Sequence, residues 1–168
     1  MRNMTRVLAL AACIVLMPAH YAAAQAGEPD ALEQFEGLVI GMTEAELLAA
    51  FPDGALSFAG RTFDIYPRLG DFTRGDEKIE NGLIAAELKP EIADDREICL
   101  AFHDELLPAL VERFGEPDSV TRALESDWAV IESNWVMKDN GIIGVLARFV
   151  DAHGKCDAKI GFRGSNVR

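Results

Sequence analysis

The chain has 168 residues, 28 acidic against 16 basic side chains, and a formal net charge of −12. That length suits one domain. The acid excess weighs against nucleic acids and anionic lipid surfaces as partners, since both are polyanions.

The first element is not part of a fold. Arg2 and Arg6 give a short basic start, residues 7–17 are uninterrupted apolar sequence, and Pro18 breaks the run. Ala24-Gln25-Ala26 then fits the small-x-small rule for signal cleavage. As a helix the apolar run spans only ~16 Å at ~1.5 Å per residue, too short for a ~30 Å hydrocarbon core. Residues 1–26 therefore read as a secretory signal peptide cut after Ala26, with 27–168 the mature, periplasmic or secreted domain. A rival reading is open: Leu10-Ala11-Ala12-Cys13 matches a lipobox, which would anchor the protein through a lipidated Cys13. Removing 26 residues leaves 142, with all 28 acids and 14 of the 16 bases, a net charge of −14. No later run is long and apolar enough for a transmembrane segment.

Residues 27–36 are expected to be a mobile lead-in ending in a short helical turn. Gly41-Met42-Thr43 then opens a helix in which Thr43 and Glu46 form a capping box. Its apolar positions Leu47, Leu48 and Phe51 share one face, and Pro52 stops it. After Pro52-Asp53-Gly54 the period becomes two: residues 55–59 and 62–66 predict a hairpin around Gly60-Arg61. Residues 67–82, rich in glycine and charge, read as an exposed loop. Residues 83–89 read as strand or short helix, with Gly82 and Pro90 favouring strand. Residues 91–96 form a polar connection.

Residues 97–103 predict a strand, with Ile98, Leu100 and Phe102 on one face and Cys99, Ala101 and His103 on the other. A second helix is expected from Asp104 as N-cap, with Pro108 in its first turn and Gly115 ending it. Strands follow within 119–132, over 133–138, 142–150 and 156–162, the middle pair joined by an Asp139-Asn140-Gly141 turn. In the last strand Ala158, Ile160 and Phe162 alternate with Lys159, Gly161 and Arg163, so it covers a core on one side only. The class is α+β: antiparallel sheet with two short helices packed on one face, in two similar helix–strand halves.

Cys99 and Cys156, the two cysteines left after cleavage, imply a disulfide in an exported domain. Such a bridge is worth about 4 kcal/mol in the chain-entropy model. His153 and Cys156 have H-x-x-C spacing but lack a second pair, so neither a metal nor a cofactor is expected.

The stretch Gly41-Met42-Thr43-x-x-Glu46-Leu47-x-x-x-Phe51-Pro52 resembles the helix signature of small outer-membrane-assembly lipoproteins of the BamE/SmpA type. The same helix–strand unit is similar to those duplicated in the β-lactamase inhibitor protein. Leu110-Val111-x-x-Phe114-Gly115-x-Pro117 looks like a variant of its ending. The first half lacks a glycine before Pro52, and the second lacks the leading Gly-Met-Thr. The resemblance implies an envelope location and action by contact, and it transfers no binding residue.

Nucleophilic catalysis needs a hydroxyl or thiol near a histidine, and that histidine near a carboxylate. His103 and His153 are the histidines available, no serine sits in a G-x-S-x-G elbow, and no catalytic residue is assigned. The aromatics Tyr66, Phe72, Trp128 and Trp135 are core residues if buried and natural anchors for a protein partner if exposed. The leading expectation is a non-enzymatic envelope protein that binds another protein, with a basic partner suited to its charge. The alternatives are an inhibitor of a secreted or periplasmic enzyme such as a lysozyme, and a small hydrolase with an unrecognised site. An inhibitor should present residues 67–82 as a protruding loop, a scaffold a flat apolar patch, and a hydrolase a cleft holding His103 or two carboxylates.

Overall fold

The computed structural model describes residues 34–74, 76–136 and 141–164. The expected signal segment with Cys13, residues 27–33 of the expected lead-in, residues 137–138 of the strand expected over 133–138 and the Asp139-Asn140 turn positions lie outside the described residues. Among the described residues the chain forms nine strands and two α-helices.

Where the end of the lead-in was expected, β1 (Gln34–Phe35) and β2 (Leu38–Val39) form a small hairpin. Phe35 and Leu38 are fully buried, so this segment is pinned to the core rather than mobile. Helix α1 (Glu44–Ala50) follows the capping box: Thr43 Oγ1 accepts from Glu46 N at 3.3 Å, and Glu46 Oε2 accepts from Thr43 N at 2.8 Å. The Thr43 N–H, and the Thr43 hydroxyl that also donates to Glu46 Oε2 at 2.9 Å, hold the Glu46 carboxyl below its ordinary range.

β3 (Ala55–Phe58) and β4 (Arg61–Arg74) form the expected hairpin, turning through Ala59 and Gly60. Both turn residues have positive φ, 48° and 74°, as a two-residue type I′ turn requires. The expected loop 67–82 is a correction. β4 continues through it and pairs with β5 (Glu77–Pro90) up to Arg74↔Glu77. Glycines and charges here sit in a two-stranded ribbon with register shifts after Arg68 and Gly70, irregularities that glycine accommodates.

A larger correction concerns residues 97–103, which form the start of α2 (Arg96–Phe114) and not a strand. Asp95 is the N-cap, its Oδ1 accepting from Glu97 N at 2.9 Å and Ile98 N at 3.0 Å. The buried set Cys99, Phe102, His103, Leu106 and Leu110 follows the spacing of one helix face. Asp104, expected to cap, lies mid-helix, and Pro108 is in the interior on the exposed side, where water can serve the carbonyl it leaves without a donor. Gly115 ends the helix as expected, with φ 80°.

β6 (Ser119–Leu124), β7 (Trp128–Val136), β8 (Ile142–Val150) and β9 (Lys155–Arg163) complete the chain. The main sheet has seven strands in the order β3-β4-β5-β9-β8-β7-β6, and every pairing is antiparallel. α2 lies across β7, β8 and β9. Its buried Phe102, Leu106 and Leu110 share a core cluster with Val145, Ala147 and Ile160, and α1 buries Leu47 in the same cluster. The architecture is α+β with helices on one face of an antiparallel sheet. The two halves follow the expected order, but α1 has 7 residues and α2 has 19, so they differ in weight.

Cys99 and Cys156 are joined by a disulfide, with Cα atoms 5.7 Å apart. It ties α2 to the start of β9; Cys99 is helical, not in a strand as expected.

Candidate functional site

Alternation along the strands sends one set of side chains under the helices and the other to an uncovered face. One row of directly opposed residues crosses six strands of that face: Tyr66, Glu87, Gly161, Gly144, Asn134 and Ser119. The two glycines leave a groove of about 250 Å³ in the middle. Glu87 and Lys159 stand at one side, and Ile142, Leu146 and Asn134 help to wall the rest. A Cβ on Gly144 would collide with Asn134 Oδ1, so the Asn134 amide occupies that glycine's space. A Cβ on Gly161 would meet nothing nearer than 4.0 Å, so its half of the floor is open backbone. Glycine inside a strand often marks a bulge, a bend or a place where a ligand or another backbone approaches closely.

Lys159 Nζ donates to Glu87 Oε1 at 2.8 Å, and Lys89 lies 3.2 Å from the other oxygen. The Lys159 bond, opposed by partial burial and helped by Lys89, holds the Glu87 carboxyl below its ordinary range. Registers place Arg68, Lys89, Arg148, Lys159 and Arg163 on this face beside Asp64, Glu87, Glu132 and Asp157. Five cations against four carboxylates make the face nearly neutral, in a chain whose net charge is −12. The acid excess lies around it.

No protein-family model, curated protein or solved structure matches the chain.

The four candidate aromatics divide between the faces. Tyr66 is 52% exposed on the open face, with Lys89 Nζ 5.1 Å from its ring centre. Trp128 is 38% exposed on the same face, on β7, four strands away from Tyr66. Phe72 and Trp135 are buried. Trp135 packs on Phe114 and donates from Nε1 to Gly115 O at 2.8 Å, which fixes the end of α2. Gly144, Gly161, Glu87, Lys159 and Asn134 were not singled out from sequence as site residues. The available signal was a glycine inside each of two strand patterns.

The covered face holds a Ser–His–Asp chain. His103 Nε2 is 3.0 Å from Ser133 Oγ, and His103 Nδ1 is 3.1 Å from Asp104 Oδ1. Arg122 Nη2 donates to both Asp104 oxygens at 3.0 Å. Burial pushes the Asp104 carboxyl up, but the bonds to His103 and Arg122 outweigh it and hold the group low. Ser133 is 0% exposed, sealed between β7 and α2. Nucleophilic attack requires a reacting atom to reach the hydroxyl, and the open groove lies on the opposite side of the sheet. The contacts satisfy buried polar groups. His153 is exposed in the turn before β9, and Cys156 is in the disulfide. Among the described residues no group of three metal-ligating side chains converges, and no helix is long and apolar enough to cross a membrane.

Proposed function

We infer that this is an exported cell-envelope protein, periplasmic or secreted, that works by binding another protein through the uncovered face of its sheet. The observation that carries the reading is the face itself. Strands β5, β7, β8 and β9 line one groove whose floor is open at Gly161, Ile142 stands at its wall and Tyr66 is exposed on the same face, and the histidine that could serve catalysis is shut on the other side. A glycine slot bordered by apolar and paired charged groups suits a side chain inserted by a protein partner, the central contact around which interfaces form. The acidic surround would speed encounter with a basic partner. The basic start, apolar run and Ala-x-Ala site support export, and the resemblance of residues 41–52 to BamE/SmpA-type helices supports an assembly or scaffold role in the envelope.

A second reading, inhibition of a secreted or periplasmic enzyme such as a lysozyme, is favoured by one feature. β5 pairs with β9 only over Ala85–Leu88, so the β4–β5 ribbon beyond is two-stranded and carries exposed Asp71, Asp76, Glu77 and Glu80. Affinity capture from envelope extract, with wild type and Gly161→Leu side by side, tests the primary reading. Leucine at the open floor should leave the fold intact and abolish capture of the specific partner. Equal capture by both proteins would show that the groove is not the binding face. Loss of capture on truncating the ribbon tip instead would favour the inhibitor.

A further inference from the structure

The sheet ends in two edges, and they are built differently. β3, at one edge, has only four residues, between Gly54 and the Ala59-Gly60 turn. Short edge strands resist added pairing. β6, at the other edge, has six residues, no proline and an unbroken register with β7 from Ser119↔Asn134 to Leu124↔Ala129.

The ladder fixes which backbone groups of β6 look outward. Glu125 N donates to Trp128 O, so residues of the same parity, Ala123, Thr121 and Ser119, bond to β7. Val120, Arg122 and Leu124 therefore aim their N–H and C=O groups away from the sheet, and no described residue pairs with them. A charged side chain commonly guards such an edge. Here Arg122 is turned onto Asp104, bound to both carboxylate oxygens. Its neighbours Val120 and Leu124 are 60% and 55% exposed on the helix side. Exposed carboxylates stand at both ends of the strand, Glu116 and Asp118 before it and Glu125 and Asp127 after it.

We propose that β6 is a docking edge for an extended peptide segment of a partner protein, added as an eighth strand. The segment has apolar residues at alternate positions, to cover Val120 and Leu124, and basic residues at its two ends, to meet the acidic pairs. Main-chain bonds to Val120, Arg122 and Leu124 supply the affinity, and the apolar alternation with the flanking charges sets register and selectivity. This surface is separate from the groove, so the two stand or fall independently.

The test uses the full chain with its disulfide intact and the synthetic peptide Lys-Lys-Val-Thr-Val-Thr-Val-Lys-Lys, blocked at both ends. Amide hydrogen exchange is followed residue by residue. In the free protein, the Val120, Arg122 and Leu124 amides should exchange much faster than those of Thr121 and Ala123. Saturating peptide should slow all three at least tenfold. A peptide with glutamate at the four flanking positions should bind at least tenfold more weakly at low salt. Val120→Pro removes one outward donor without touching the β7 ladder and should abolish binding. If that variant fails to fold, Val120→Lys with Leu124→Lys keeps the backbone and should weaken binding at least tenfold. Protection of the three amides in the free protein, independent of concentration, would mean that the chain covers its own edge and would overturn the proposal. Concentration-dependent protection would assign the edge to a second copy and overturn it equally. So would peptide binding that ignores both substitutions or the sign of the flanking charges.

Discussion

His103 Nε2 and Ser133 Oγ, 3.0 Å apart, hydrogen-bond to each other inside the core. The pair has the geometry of a nucleophile and its base but not the access. Ser133→Ala should leave the buried ring nitrogen without a partner and lower the unfolding free energy by about 1–3 kcal/mol. Capture of the protein partner should be unchanged. Chemical denaturation beside the capture assay checks this. Unchanged stability with lost function would make the pair part of a working site.

Ala59 holds a φ of 48° in the first hairpin turn, a conformation better suited to Asn or Gly. Ala59 is exposed, so its replacement disturbs no packing. Ala59→Asn should raise stability by about 1 kcal/mol, read as a higher denaturation midpoint with an unchanged slope.

The two groove glycines should respond differently to the same methyl group. Gly161→Ala has room, and by restricting the unfolded chain it should be neutral or stabilising by up to about 1 kcal/mol. Gly144→Ala must displace the Asn134 amide and break its 3.1 Å bond to Glu132, so it should be destabilising. Denaturant midpoints of the two variants decide it, and an equal response would mean that Asn134 does not occupy that slot.

Acid should unfold the protein from a defined side. Glu46, Glu87, Asp94 and Asp104 are all held below their ordinary values, Asp94 chiefly by the Cys156 N–H and also by Lys155. A depressed folded-state value means that the unfolded chain takes up protons first. The stabilisation is fully present above about pH 4–5, where free carboxylates are ionised, and is lost as pH falls through the folded values. Stability measured from pH 8 downward should stay level to about pH 5 and then decline. Asp94→Asn should make the decline shallower.

Removing the disulfide with Cys99→Ser and Cys156→Ser should reduce stability by about 4 kcal/mol, since the bridge spans a separation of 57 residues. Calorimetry of the double variant against the oxidised protein measures it. A loss under about 1 kcal/mol would show that the unfolded chain is already compact around this link.

The sequence was readable where local chemistry decides structure. Thr43 and Glu46 announced their capping box, Gly115 its helix end, and the alternation of residues 158–163 an uncovered face. It misled where two periods coincide. In residues 97–103 strict alternation fits a strand, yet Cys99, Phe102, His103 and Leu106 also have helical spacing, and Asp95 is as good a cap as Asp104. Tertiary packing of α2 on β8 selected the helix, which places Pro108 in its interior rather than in its first turn. The candidate groove was hidden for another reason. Its floor is made by Gly144 and Gly161, which have no side chain to signal with and meet only once β8 and β9 are in register. Likewise alternation puts Trp128 and Trp135 on opposite faces of β7, but only the placement of α2 decides which of those faces is covered.

The bond between Cys99 and Cys156 closes most of α2 with β6, β7 and β8 into a covalent ring. Pulled from its two ends, the oxidised chain lengthens only by what lies outside that ring, beginning with the β1–β5 portion. A protease or translocation pore that threads polypeptide from the N-terminal side would run through the first half and then stall. It would have to wait for a reductant or admit two strands of chain abreast. A nick in any turn between the two cysteines would leave both fragments attached, so cleavage there frees no half of the sheet.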